Sequence, residues 1–135
     1  MNTHKRFKKR WLQIILCSLL LVFSCTKEEK ATKHDYPKVA TGQVTNINTE
    51  CATFNGSFLQ TGNSEIIDHG FIFSSNDPPG YIYSEKISLG PSSGRGSFTA
   101  TANFGLTAGS TYYVSAYAQN KDKIFYAPSV SFVSK

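Results

Sequence analysis

A chain of 135 residues holds one ordinary domain plus appendages and excludes a large multidomain enzyme. Its 40% hydrophobic and 17% charged content, with 7 Tyr and 10 Phe, describes an aromatic-rich globule and not a disordered chain. The net charge of +5 invites nucleic acid as a partner, but Lys5, Arg6, Lys8, Lys9 and Arg10 all precede the first acid, Glu28, and from residue 25 onward nine basic side chains balance nine acidic ones. Phosphate binding needs a clustered cationic surface whose counterions can be released, so no nucleic acid partner is expected.

Residues 1–24 read as an export signal: a basic start, then the apolar run from Trp11 to Phe23, WLQIILCSLLLVF, followed by small residues. As a helix the run is about 20 Å long at 1.5 Å per residue, short against a hydrocarbon core of about 30 Å. The alternative is an uncleaved membrane anchor or a buried core helix, but a segment apolar on every face and preceded by five positives has no place inside a β-rich domain. Its end, Leu21-Val22-Phe23-Ser24-Cys25, resembles the lipobox of bacterial lipoproteins, with Phe23 in place of the smaller residue usual there. The resemblance implies cleavage before Cys25 and acylation of Cys25, so that the membrane becomes a partner through lipid on that residue. One acyl chain gives marginal attachment, at about 0.8 kcal/mol per buried methylene, whereas two or three hold firmly. The competing reading is an ordinary cysteine after a conventional cleavage site.

Residues 25–38 then form the lipidated Cys and a flexible linker. TKEEKATKHDYPK, from Thr26 to Lys38, has almost no large apolar residue and closes on a Pro, and a leash of this length reaches about 20 Å. Within it Lys27-Glu28-Glu29 resembles the surface-export signal of some Gram-negative lipoproteins. The implied location is the cell envelope: an outer-membrane-anchored lipoprotein, periplasmic or surface-exposed. Cys17 departs with the signal and Cys25 is acylated, which leaves Cys51 alone without a disulfide partner.

From residue 39 to 135, short runs of β-branched and aromatic residues alternate with Gly, Ser, Asn, Asp and Pro, and no helical repeat is sustained. Strands are expected near Val39–Ile47, Cys51–Gln60, Ile67–Ser75, Tyr81–Leu89, Gly96–Phe104, Thr111–Asn120 and Lys123–Val133. The fold class is all-β: seven strands in an immunoglobulin-like two-sheet sandwich. Alternation puts Ala52, Phe54, Gly56 and Phe58 on one inward face, Phe71 and Phe73 on another, and likewise Phe98, Ala100, Ala102 and Phe104; Tyr112, Val114, Ala116 and Ala118; and Val130 and Phe132.

The stretch from Leu106 to Ala118, LTAGSTYYVSAYA, resembles the corner and sixth strand of fibronectin type III domains, with Ala108 where Pro is usual. The resemblance implies that Tyr112 is the structural tyrosine-corner residue, its hydroxyl bonded back to the preceding loop. Ala52-Thr53-Phe54-Asn55-Gly56, Asp68-His69-Gly70-Phe71-Ile72-Phe73-Ser74 and the pattern through Phe125-Tyr126 and Val130-Ser131-Phe132 are similar to the fibronectin-like repeats of exported Gram-negative lipoproteins, where such repeats act as spacers or binding modules. Here there is one copy.

Chemistry finds little purchase in the sequence. Paired-carboxylate hydrolysis needs two acids held in a cleft, and most of Glu50, Glu65, Asp68, Asp77, Glu85 and Asp122 fall in expected turns. Asp68-His69 suggests half of a catalytic pair, yet neighbours on a strand point to opposite faces and no Ser in a strained turn accompanies them; His69 reads as a rim or turn residue. The domain has too few His and Cys for a metal centre, and Asn76-Asp77-Pro78-Pro79-Gly80 spells a turn before it spells a calcium loop. Cys51 has no basic neighbour to activate it and is expected to be buried and inert. Ser92-Ser93-Gly94-Arg95-Gly96 lacks the following helix of a phosphate cradle and reads as a hairpin loop. No catalytic residue, metal or cofactor is assigned.

What remains is a surface. With Tyr112 inward, Tyr113, Ser115 and Tyr117 point outward, joined by Ile72 from the neighbouring strand. Ile72, Tyr113 and Tyr117 are therefore the candidate contact surface for an envelope protein or a glycan, since Tyr joins flat apolar area to a hydrogen-bonding tip. The alternative is that these side chains stabilise one another across strands. The expected function is a lipid-anchored, non-catalytic interaction module; a carbohydrate-contacting accessory protein and a small hydrolase built on Asp68 and His69 are the other readings.

Overall fold

The structure is a computed structural model and describes residues 36–135. The export signal, Cys25 and the linker as far as residue 35 lie outside the described residues. Eight strands follow in order: β1 Lys38–Thr41, β2 Ala52–Gln60, β3 Asp68–Ser74, β4 Glu85–Ser88, β5 Ser97–Ala102, β6 Thr111–Gln119, β7 Ile124–Tyr126 and β8 Val130–Val133. They form two antiparallel sheets, β1-β2-β5 and β4-β3-β6-β7, with β8 also paired to β6. The all-β sandwich is thus as the alternation predicts.

Between the sheets lies an aromatic core. Phe54 is fully buried, and its ring sits 5.7, 5.1 and 5.5 Å from those of Phe71, Phe73 and Phe132. Large and small residues interlock within a sheet as well as between sheets: on the β2–β5 ladder Phe54 faces Ala100, and Gly56 faces Phe98. A Cβ on Gly56 would stand 2.7 Å from the Phe98 ring, so glycine here is a packing requirement at native interior density. Tyr112 stacks on Phe132 at 5.7 Å, and its hydroxyl accepts a hydrogen bond from the Thr107 N–H at 2.9 Å. That bond ties the start of β6 to the loop before it.

Four strand boundaries differ from the sequence expectation, each for a local reason. The first run stops at Thr41. Asn46 then adopts φ 51°, a left-handed conformation that Asn tolerates, and the Asn48 carboxamide oxygen accepts from the N–H groups of Glu50 and Cys51 to close the turn. Thr45 keeps one bridge to Thr53. The fourth run shortens to Glu85–Ser88, with Tyr81, Ile82 and Tyr83 in the connection before it. The fifth ends at Ala102, leaving Phe104 outside the strand and exposed. The last run splits into β7 and β8, because Ala127, Pro128 and Ser129 stand opposite only Ser115 and Ala116, and Pro128 has no N–H to offer a ladder. The Ala116 amide is instead taken by the Thr41 hydroxyl of the other sheet at 2.9 Å.

Two loop readings also change. Ser92–Gly96 is not a hairpin loop: it belongs to the crossing from β4 in one sheet to β5 in the other, held where Ser92 bridges Ile66 and Thr61 donates to the Gly94 carbonyl. Cys51 is half-buried and not buried, and its sulfur accepts a hydrogen bond from Asn48 Nδ2 at 3.3 Å.

Candidate interaction surface

The outward face of the larger sheet is built around Asp68, at the start of β3. Strand register puts Lys86 and Ser88 of β4 beside Ile72 and Gly70, and Tyr117 of β6 across from Gly70 on the other side. Asp68 lies within reach of all of them. Its Oδ1 accepts from Ser88 Oγ at 2.6 Å and from the Gly90 N–H at 3.1 Å. Its Oδ2 accepts from Tyr117 Oη at 2.8 Å and pairs with Lys86 Nζ at 3.0 Å. Lys86 Nζ also lies 4.8 Å from the centre of the Tyr117 ring, a cation–π distance.

Burial works against ionisation of Asp68, yet hydrogen bonds from Ser88, Lys86 and Tyr117 outweigh it and hold the carboxyl below its ordinary value. Tyr117 moves the other way: burial, then its bond to the Asp68 carboxylate, raise its hydroxyl well above the usual phenol range. Tyr126 is raised as well, by burial and by the nearby Tyr81. A carboxylate has about four lone-pair sites, and Asp68 has four donors. With its lone pairs engaged and its carboxyl held below the ordinary value, Asp68 is a poor base in the folded protein.

His69 completes the case against a catalytic pair. It points to the opposite side of β3, into the core edge, where its ring lies 5.6 Å from that of Phe58 and 4.9 Å from that of Phe98. Nδ1 is 2.7 Å from the Gly90 carbonyl, which only accepts, so this nitrogen carries the proton. His69 is therefore a buried strand residue and not a rim or turn histidine, and the strand holds it apart from Asp68. Among the described residues no three His, Cys, Asp or Glu side chains come together as metal ligands.

The expected contact surface needs a correction. Ile72 and Tyr117 do point away from the core, but each is only 1% exposed, and Tyr113 is half-buried. The covering element is the β3–β4 connection. Asp77 in this connection accepts a hydrogen bond at 2.6 Å from Ser129, which lies between β7 and β8, on the far side of β6 from β3. The connection must therefore pass over the outer face of β6. Pro79 is buried along this path, and Tyr81 comes within 6.0 Å of Lys86 Nζ.

Covering one set of side chains exposes another. Beyond Pro79 the connection turns, with the Tyr83 N–H bonded to the Gly80 carbonyl at 3.3 Å. Tyr81, Ile82 and Tyr83 are 57, 81 and 83% exposed. Tyr126 on β7, also exposed, stands 6.4 Å from Tyr117, ring to ring. Tyr81 keeps its contact with Lys86, but Ile82 and Tyr83 stand almost wholly in water, where large apolar side chains contribute little to folding. Alternation alone could not find them, because it assigned them to a strand; their position directly after a Pro-Pro-Gly turn was the available signal.

No family model matches the chain, and no curated protein does. Solved structures do match. The chain is similar to the sensor domain of the anti-sigma factor RsgI4 of Pseudobacteroides cellulosolvens, with a TM-score of 0.56 and 13% identity over 73% of this chain and 93% of that one. A solution structure of the same RsgI4 sensor domain gives a TM-score of 0.56 and 14% identity over 73% of this chain and 75% of its own. At such identity the likeness is one of fold.

Proposed function

We propose that the chain is a lipid-anchored protein of the cell envelope whose sandwich is a non-catalytic interaction module, and that it engages an envelope protein or glycan through the tip Tyr81-Ile82-Tyr83. The single observation that carries this reading is the tip itself: three exposed apolar side chains on a connection held by the Asp77–Ser129 bond and by buried Pro79. Tyr side chains supply large contact area at a low conformational-entropy cost on binding. Support for the module role comes from the RsgI4 likeness, since that domain is described as a sensor. Support for the anchor comes from the leader and the lipobox-like Leu21–Cys25. The outer membrane is the proposed site of anchoring, with the sandwich periplasmic or surface-exposed.

Two variants test the two halves. Cys25→Ala releases the protein from the membrane fraction; unchanged fractionation rejects lipid anchoring. Ile82→Ser with Tyr83→Ser abolishes capture of the partner from envelope extract, or retention on envelope polysaccharide, while the melting temperature stays within a few degrees because both side chains are already in water. Unchanged capture in both arms rejects the tip as the contact surface.

A further inference from the structure

The smaller sheet ends in β5, and this edge is open. The Phe58 N–H donates to the Gly96 carbonyl, which makes Phe58 and Gly96 a hydrogen-bonded pair in the β2–β5 register. Such pairs recur every second residue in an antiparallel ladder, so Phe98, Ala100 and Ala102 turn their backbone groups toward β2. Ser97, Thr99 and Thr101 turn theirs outward. Among the described residues no strand lies on that side. Natural edges are blunted by Lys, Pro, bulges or a covering loop; β5 reads SFTATA and has none of the first two, nor does its ladder to β2 contain a register shift.

The other sheet extends further. β5 packs over β3, while β1 packs over β6 and β7, so β4, on the outer side of β3, projects beyond β5. Its register with Phe71 and Phe73 turns Ile87 and Glu85 toward the inner side. This leaves a ledge one strand wide, floored by half-buried Ile87 and flanked by half-buried Phe98 and exposed Phe104. Glu85 stands at one end of it, close to Gly105, and among the described residues no other charged side chain lies on the floor or on β5.

We infer that the β5 edge is a strand-addition site for an extended peptide of a partner protein, with apolar residues at alternate positions over Ile87 and a basic residue at the Glu85 end. The open backbone row supplies affinity and the ledge supplies side-chain selection. A second copy of the chain does not fit. Extending β5 by another sandwich would bring that copy's own larger sheet into the space β4 occupies. This goes beyond the proposed module role by naming a second surface and its partner's chemistry, and it requires neither lipid on Cys25 nor the Tyr81–Tyr83 tip.

The test uses the full-length chain in non-ionic detergent and a capped eight-residue peptide of alternating Thr and Val ending in Lys. Binding is read by calorimetry and by amide exchange. The peptide binds, and it slows exchange at Thr99 and Thr101 at least tenfold. Two N-methylated versions separate strand addition from greasy adhesion, because alternate amides face opposite edges: methylation at one set weakens binding at least tenfold, and at the other leaves it unchanged. Thr99→Pro removes an outward amide that β2 does not use, so it keeps the fold and loses the peptide, while Tyr83→Ser keeps both. The inference is overturned if the parent peptide does not bind, if both or neither methylated peptides are impaired, if Thr99→Pro binds normally, or if light scattering shows a dimer that already protects Thr99.

Discussion

Removing the Asp68 carboxylate tests whether the outer face is held together as described. In Asp68→Ala the donors Ser88 Oγ, Gly90 N–H, Tyr117 Oη and Lys86 Nζ lose their acceptor. They do not lose equally. Lys86 is 33% exposed in its side chain and Ser88 is at the surface, so both turn to water at a cost of about 0–1 kcal/mol. The Tyr117 hydroxyl is buried, and stranding it costs about 1–3 kcal/mol. With the Gly90 amide the total is about 2–4 kcal/mol, or a fall in Tm of about 8 °C or more for a domain of this size. Urea denaturation of Asp68→Ala, Tyr117→Phe and the double variant isolates the pair. A hydrogen bond to a charged group contributes about 1.5–3 kcal/mol, so the double variant should be less destabilised than the sum of the singles by at least about 1 kcal/mol. Additivity to within about 0.5 kcal/mol would refute the claim that Asp68 and Tyr117 act as a unit.

The same pair makes stability sensitive to pH at both extremes. The folded-state value of Asp68 lies below its ordinary 3.8, so its contribution is present above that pH and is lost as pH falls through the folded value; Asp68→Asn should flatten the acid limb of a stability profile. The Tyr117 hydroxyl is raised above its ordinary 10.0, so its contribution is complete below pH 10.0 and is lost as pH rises toward the folded value; phenolate absorbance should show one tyrosine ionising last, and Tyr117→Phe should remove it. Gly70→Ala should cost about 2 kcal/mol or more by thermal denaturation, since Gly70 has φ 150° and a Cβ there would collide with the Ile87 carbonyl oxygen. Phe54→Ala, at the meeting point of three other rings, should cost about 3–5 kcal/mol.

Sequence alternation located β2, β3, β5 and β6 and, apart from Phe104, their inward residues, because a period of two is a local property of the chain. Phe54, Phe71, Val114 and Ala116 are buried for the reason their spacing implies. The outer face could not be read that way. Whether Tyr117 meets water depends on the path of a loop whose fastening, Asp77 to Ser129, joins residues 52 positions apart, and whose polar floor, Asp68 to Tyr117, joins residues 49 apart. Asn76-Asp77-Pro78-Pro79-Gly80 announced a turn but not its direction. The split of the last strand was legible in Pro128, which cannot donate within a ladder; taking Lys123–Val133 as continuous overlooked that single residue.

The closed outer face and the exposed tip have one physical origin. An open sheet face bearing Ile72 and Tyr117 would present apolar area beside a charged Asp68–Lys86 pair, and water would weaken the attraction within that pair. Laying the β3–β4 connection over β6 dries the Tyr117 environment and strengthens its bond to Asp68. The connection has to turn back to reach β4, and at that turn Tyr81 still lies beside Lys86, while Ile82 and Tyr83 stand out in water. If burial of the face were all that was selected, polar residues would serve equally at the turn. Large apolar side chains placed there, on a segment already fastened at Asp77, are what the proposed contact with another molecule rests on.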